Sequence, residues 1–181
     1  ANQLGLKGID STKYRDEMAD IGTLAHYLIL CELKGETPDT TDYSKQQIDL
    51  AENAMLSYLE WAKGHTIEPI LVEEPLVSEA EQFGGTVDLF ATIDGIKTLV
   101  DFKTGKGLYP EHAYQVAAYR QLLREKFGQQ VPTQDVRLLR IGRGADEGFE
   151  EKRFGNLDRE WAIFKACRTI YTLQQNIRRG T

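Results

Sequence analysis

The chain is poor in cysteine, with Cys31 and Cys167 alone among 181 residues. Two thiols cannot build a four-cysteine cluster or a CxxC zinc site. Both lie in apolar helical patterns, where a free cysteine acts as a small buried hydrophobe. A reducing cytoplasm is the expected compartment. No apolar run is long enough to span a bilayer, and the opening Ala1-Asn-Gln-Leu-Gly5 is too polar for a secretory leader. An initiator methionine is also lacking, so a fragment or a processed product is expected. Repeats and low-complexity tracts are absent.

A basic excess is missing as well. Twenty-two basic residues face 28 acidic ones, for a net charge of −6, which argues against a histone-like binder. A local basic patch is still compatible with that balance. Its candidates are Lys103, Lys106, Arg120, Arg124, Lys126, Arg137, Arg140, Arg143, Arg178 and Arg179; for any one of them, solvated surface charge is the plainer reading. Hydrophobic residues make up 41% and charged residues 28%, as in ordinary globular proteins. The length suits a single domain with a sizeable core.

Periodicity predicts α-α-β-β-β-α-β-β-α. Residues 1–13 read as irregular. Helices are expected over about 14–34, with Met18, Ile21, Leu24, Ala25, Leu28 and Ile29 at helical spacing, and over 43–63. Gly35 is an end signal for the first. A strand over 67–77 carries Pro69 and Pro75, which favour an edge. A helix fits 111–127 and strands fit 136–141 and 149–154. A last helix over 157–178 would pack through Trp161, Phe164, Ile170, Tyr171 and Leu173. This order implies an α+β domain with a mixed sheet flanked by helices. Its helical N-terminal part would cover about 14–64 and its core about 66–142. The helix between Lys103 and Val136 could serve as a right-handed crossover.

The most informative segment is Gly85 to Thr104. Asp94-Gly95 sits between two runs of alternating β-formers, a strong hairpin signal. Counting outward from a two-residue turn pairs Ile93 with Ile96, Leu89 with Val100, and Asp88 with Asp101. Val87, Leu89, Ala91, Ile93, Ile96, Val100 and Phe102 then share a core face. Thr86, Asp88, Phe90, Thr92, Lys97, Leu99, Asp101 and Lys103 share the other. A slip of one residue would part the two carboxylates. Like charges directly opposite one another destabilise a sheet, and a divalent cation would offset that. The bland alternative is a wet face carrying Asp and Lys for solubility.

Other candidates surround this pair. Glu73 and Glu74 lie on the preceding strand. Gly22 and His26 stand at i and i+4 on one helix face, where Gly22 would admit a close neighbour and His26 could ligate a metal. Gln115 and Tyr119 also stand at i and i+4, with His112 one turn earlier; both can hydrogen-bond a phosphate.

In order, Gly22-Thr-x-x-His26, Gly85-x-x-Asp88, Asp101-x-Lys103-Thr-Gly and Gln115-x-x-x-Tyr119 resemble the PD-(D/E)xK nuclease superfamily. The likeness is to its branch of RecB-type nuclease domains, Cas4 and phage recombination exonucleases, and covers roughly residues 14–142. It implies a restriction-endonuclease-like fold and a Mg²⁺- or Mn²⁺-dependent deoxyribonuclease, an exonuclease sooner than an endonuclease. His26, Asp88, Asp101 and the Phe102 carbonyl match the metal ligands. Lys103 matches the lysine that orients or activates the attacking water. Gln115 and Tyr119 match the motif that supports the site and contacts the nucleic-acid backbone. Glu73 or Glu74 falls where many relatives carry an acid, and Glu73 is taken here. The cysteines that hold an iron–sulfur cluster in some relatives are missing, and no helicase motif is present.

The resemblance further implies double- or single-stranded DNA as substrate and 5′-phosphate ends. A single-strand annealing protein, a homo-oligomer and a bacterial or phage-infected cytoplasm would complete the setting, with no membrane. Two alternatives stand beside it: an inactive nucleic-acid-binding module, and a structure-specific or CRISPR-adaptation endonuclease. Oxygen ligands suit Mg²⁺, imidazole widens tolerance toward Mn²⁺, and Lys103 would stabilise charge on the phosphoryl oxygens.

Overall fold

A computed structural model describes residues 11–128, 135–143 and 147–180, with side chains from residue 16 onward. Of the start expected to be irregular, residues 1–10 lie outside the described residues, as does part of the turn after Gly142, while residues 11–13 are helical. Among the described residues, four helices and five strands follow in the predicted order: α1 (Ser11–Lys34), α2 (Lys45–Ala62), β1 (Ile67–Ser78), β2 (Phe83–Ile93), β3 (Ile96–Thr104), α3 (Pro110–Phe127), β4 (Val136–Ile141), β5 (Phe149–Phe154) and α4 (Asp158–Arg179). The fold is α+β, with a mixed five-stranded sheet ordered β1-β2-β3-β4-β5. β1 is an edge, which is where Pro69 and Pro75 cost no ladder bonds. α3 links the neighbouring strands β3 and β4.

Local chemistry sets the boundaries. Ser44 caps α2 by accepting from the Gln47 N–H, while the Gln47 side chain accepts from the Ser44 N–H. This reciprocal arrangement satisfies two donors that the helix start would otherwise orphan. Pro110 opens α3, at a position whose N–H is not needed by the helix. The β2–β3 turn has positive φ at both centres, +52° at Asp94 and +82° at Gly95, the signature of a type I′ hairpin. Asp94 also accepts from the Thr66 N–H through Oδ1 and donates its own N–H to the Thr66 carbonyl, each at 2.9 Å. The turn is thereby tied to the root of β1.

The chain divides into two compact units. One comprises Ala1–His65, Phe102–Gly107 and Leu139–Glu150. In it α1 packs on α2, burying Ile21, Leu24, Ala25, Leu28 and Ile29 on one helix and Ala51, Ala54 and Tyr58 on the other. The Phe102 ring meets Tyr58 and His26 edge-on, at centroid distances of 5.6 and 6.1 Å.

The second unit comprises Thr66–Asp101, Leu108–Leu138 and Glu151–Thr181. Its core joins Leu76, Val87, Phe90 and Leu99 of the strands to Val116, Leu122 and Leu123 of α3, with Val136, Leu138 and Leu157. Phe90 and Leu99, placed by alternation on the same face as the carboxylates, are therefore buried. α3 packs against β1 and β2, and that face is not the wet one a solubility role would require.

Two other expectations are corrected here. Trp161 and Phe164 of α4 do pack, against Phe83, but Ile170, Tyr171 and Leu173 are more than half exposed. Five of the ten candidates for a basic patch are bound to acids instead. Arg137 is buried and bound to Asp135 and Glu151, at 2.9 and 3.2 Å. Arg120 is buried and bound to Asp158, and burial lowers its pKa from the usual value. Arg140 pairs with Glu150 and Arg143 with Glu147. Lys126 pairs with Glu74.

Candidate active site

The hairpin register is the one the turn dictates: Ile93 with Ile96, Phe90 with Leu99, and Leu89 with Val100. One step further along the two strands stand Asp88 and Asp101. Both are buried, with Asp101 only 1% exposed. An acidic side chain taken out of water carries a cost of desolvation.

β1 continues the same level. Val72 pairs with Leu89 and Glu74 with Val87, so Glu73 is the β1 position abreast of Asp88. Its backbone leaves the strand region, with φ at +53°, and its side chain is exposed. A non-glycine residue held there is strained by about 1–3 kcal/mol, and such strain gathers at functional positions. Simple alternation does not fix the direction of a side chain at a positive φ. Glu74, its neighbour, is committed to Lys126 at 2.9 Å.

α3 brings Gln115 and Tyr119 to the same unit. The Gln115 Nε2 donates to the Tyr119 Oη at 2.7 Å. This leaves the phenol's own O–H to donate elsewhere. Burial pushes the Tyr119 pKa up; the Gln115 bond opposes this, while the charges of Asp101 and Asp88 raise it further. The phenol therefore stays protonated, and its oxygen stands within the field of both carboxylates. The ring lies over the β2 backbone at Gly85. A Cβ on that glycine would come within 2.5 Å of Tyr119 Cε1. His112, by contrast, turns back on its own helix: its Nδ1 accepts from the Tyr109 N–H at 3.2 Å. It caps α3 instead of extending the Gln115–Tyr119 face.

In the first unit, Gly22 meets the expectation of a close approach. A Cβ there would come within 2.6 Å of Thr104 Oγ1, at the end of β3. His26 is half-buried, with its ring at the edge of Phe102. Lys103, two residues beyond Asp101 along β3, is half-buried too.

Among the described residues, no group of three or more His, Cys, Asp or Glu side chains is gathered closely enough to hold a metal ion. The pair Asp88 and Asp101 nevertheless suits a hard divalent cation. Mg²⁺ is commonly held by one or two carboxylates and keeps several waters. Three aromatic residues share a cavity lining with Tyr119, namely Phe83, Tyr114 and Phe164, and spacing alone does not single them out. The aromatic next to the Gly84-Gly85 pair was the available signal.

No family model matches the chain, and no curated protein matches it. Among solved structures, it is similar to a "putative exonuclease" from Eubacterium rectale, with a TM-score of 0.56 at 12% identity. The likeness covers 88% of this chain and 65% of that one, so the chain spans less than two thirds of its neighbour's length. At this identity the likeness establishes the fold alone. No helix among the described residues is long and apolar enough to cross a membrane.

Proposed function

We propose that the chain is a divalent-metal-dependent DNA nuclease, hydrolysing phosphodiester bonds as a recombination-type exonuclease of phage kind. The observation that carries this reading is the burial of Asp88 and Asp101, each one position past the paired Leu89 and Val100, with the Tyr119 hydroxyl in the field of both. A solubility role does not bury two acids on neighbouring strands. The name given to the E. rectale neighbour, "putative exonuclease", points the same way.

In this reading Asp88 and Asp101 would hold the ion through carboxylate oxygens; His26 and the Phe102 carbonyl are the further ligands that the resemblance implies. Such an ion, when bound, neutralises phosphate charge and eases deprotonation of a water. Lys103 orients the attacking water and stabilises charge growing on the phosphoryl oxygens. Tyr119, kept protonated, donates to a backbone phosphate oxygen, and Gln115 fixes the rotation of its hydroxyl. Glu73, abreast of Asp88 on β1, is assigned as a supporting acid and not as a third ligand. Water adds to phosphorus and the 3′-oxygen leaves, giving a 5′-phosphate and a 3′-hydroxyl.

The test compares end-labelled linear DNA with closed circular DNA, in Mg²⁺ or Mn²⁺, for wild type and Lys103→Ala. Degradation of linear DNA alone, lost in the variant, supports an exonuclease. Cleavage of circles moves the assignment to an endonuclease. No cleavage of either by wild type leaves a binding module.

A further inference from the structure

A cavity of about 400 Å³ opens on the flank of α3. It belongs wholly to the second unit, and its walls are the rings of Phe83, Tyr114, Tyr119 and Phe164, with Glu111 and Gln115 supplying polar groups. The apolar wall is braced. Phe83 and Phe164 stand 5.1 Å apart, centroid to centroid, and Trp161 stacks on Phe164 at 5.7 Å and 15°. Rings held by other rings are pre-set for a flat guest and lose little freedom on binding.

We infer that this cavity is a subsite for one unstacked nucleobase of the strand being cut. The inference rests on the nuclease reading and narrows it to substrates with a single-stranded or frayed end. Three observations favour a base over another flat guest. The volume lies within the range of small-ligand pockets, about 300–1,000 Å³, and exceeds what one purine needs. The lining couples aromatic faces, on which any base can stack, to a carboxylate and an amide. Glu111 can accept from an exocyclic amine, and Gln115 can pair with a base edge. Lastly, Tyr119 belongs to the cavity and to the surroundings of Asp88 and Asp101 alike. A base seated there would have its own phosphodiester beside the carboxylate pair. A base still stacked in a duplex cannot enter, so the pocket selects for strands whose end has opened.

Cys167 gives the pocket a built-in reporter, since it lines the cavity and is exposed while Cys31 is buried. The experiment uses the full chain in EDTA, where metal-dependent cleavage is off. Single-stranded oligonucleotides carry one abasic residue at each of the last four positions in turn, and binding is read by anisotropy. Alkylation of Cys167 is followed in parallel.

The expected result is one position at which loss of the base weakens binding about tenfold, the scale of one stacked base. The intact oligonucleotide should shield Cys167, and the one abasic at that position should not. Phe164→Leu or Tyr114→Ala should remove the difference between the two. Shielding in the wild type needs no variant, so misfolding of either variant leaves the test intact. Equal binding at all four abasic positions, with Cys167 alkylated at the free-protein rate, overturns the pocket; so does failure to bind any strand. Cleavage of linear DNA with a flat abasic series would refute the pocket and leave the nuclease reading standing. Base-dependent binding with no cleavage in Mg²⁺ or Mn²⁺ would do the reverse.

Discussion

The ring of Tyr119 occupies the place where residue 85 would put a side chain: a Cβ on Gly85 would meet Tyr119 Cε1 at 2.5 Å. Gly85→Ala must therefore move either the β2 backbone or the ring, and the ring gives more readily. The expected outcome is a loss of about tenfold or more in kcat/KM on DNA, with melting temperature lowered by only a few degrees. A variant with wild-type kinetics would detach Tyr119 from the reaction.

Glu73 separates backbone from carboxylate. Glu73→Gly relieves a positive φ and should raise stability by about 1 kcal/mol, measured by urea unfolding. Glu73→Gln keeps the strain and removes the charge. If Glu73 takes part in the reaction, both variants lose activity to a similar degree although their stabilities diverge. Equal activity of both with wild type would leave Glu73 a backbone feature alone.

Tyr58 carries a pH prediction. Burial and, after it, the Glu32 charge push its pKa up to about 12. The folded state thus holds the phenol proton above the unfolded value near 10. Stability from this group is fully present below pH 10 and is lost as pH rises toward 12. Ultraviolet titration should show Tyr58 ionising late, along with Tyr119, whose pKa is also raised; Tyr58→Phe should lose the Tyr58 share of that late phase, and its alkaline unfolding should be less steep. A wild-type tyrosine complement that titrates wholly near 10 would contradict the burial.

Arg137 is 2% exposed and bound to Asp135 and Glu151. Asp135 also accepts from the Thr98 hydroxyl at 2.8 Å. Arg137→Met strips Asp135 of its cation, while Glu151 keeps Arg153 at 3.0 Å, so a loss of about 3 kcal/mol is expected in denaturant unfolding. A surface basic patch would predict almost no change in stability and weaker DNA binding instead.

These contrasts show what a linear pattern carries. Asp94-Gly95 was legible because a two-residue turn with both φ angles positive selects those residues, and the turn alone sets the register down to Leu89 and Val100. Gly22 was legible because only a missing Cβ admits a neighbour such as Thr104. Alternation tells which residues share a face but not what covers it. Phe90 and Leu99 were put on a face that could have been wet, and α3 buries them. Ile170, Tyr171 and Leu173 were expected in a core and lie open along α4. Arg137 was unreadable for a related reason: its partner Glu151 is 14 residues away and reaches it only through the fold. The spacing of Gln115 and Tyr119 pointed to a shared face, whereas the contact of Tyr119 with Gly85, and the ring-walled cavity beside it, depend on how α3 lies across β2.

The account stands most directly on whether Asp88 and Asp101 hold an ion together. Calorimetric titration of Mn²⁺ into wild type, Asp88→Asn and Asp101→Asn measures this without a turnover assay. The predicted result is saturable binding to wild type, with at least tenfold weaker binding in each variant and all three proteins folded. Binding unchanged by either substitution, or none to wild type, would contradict it.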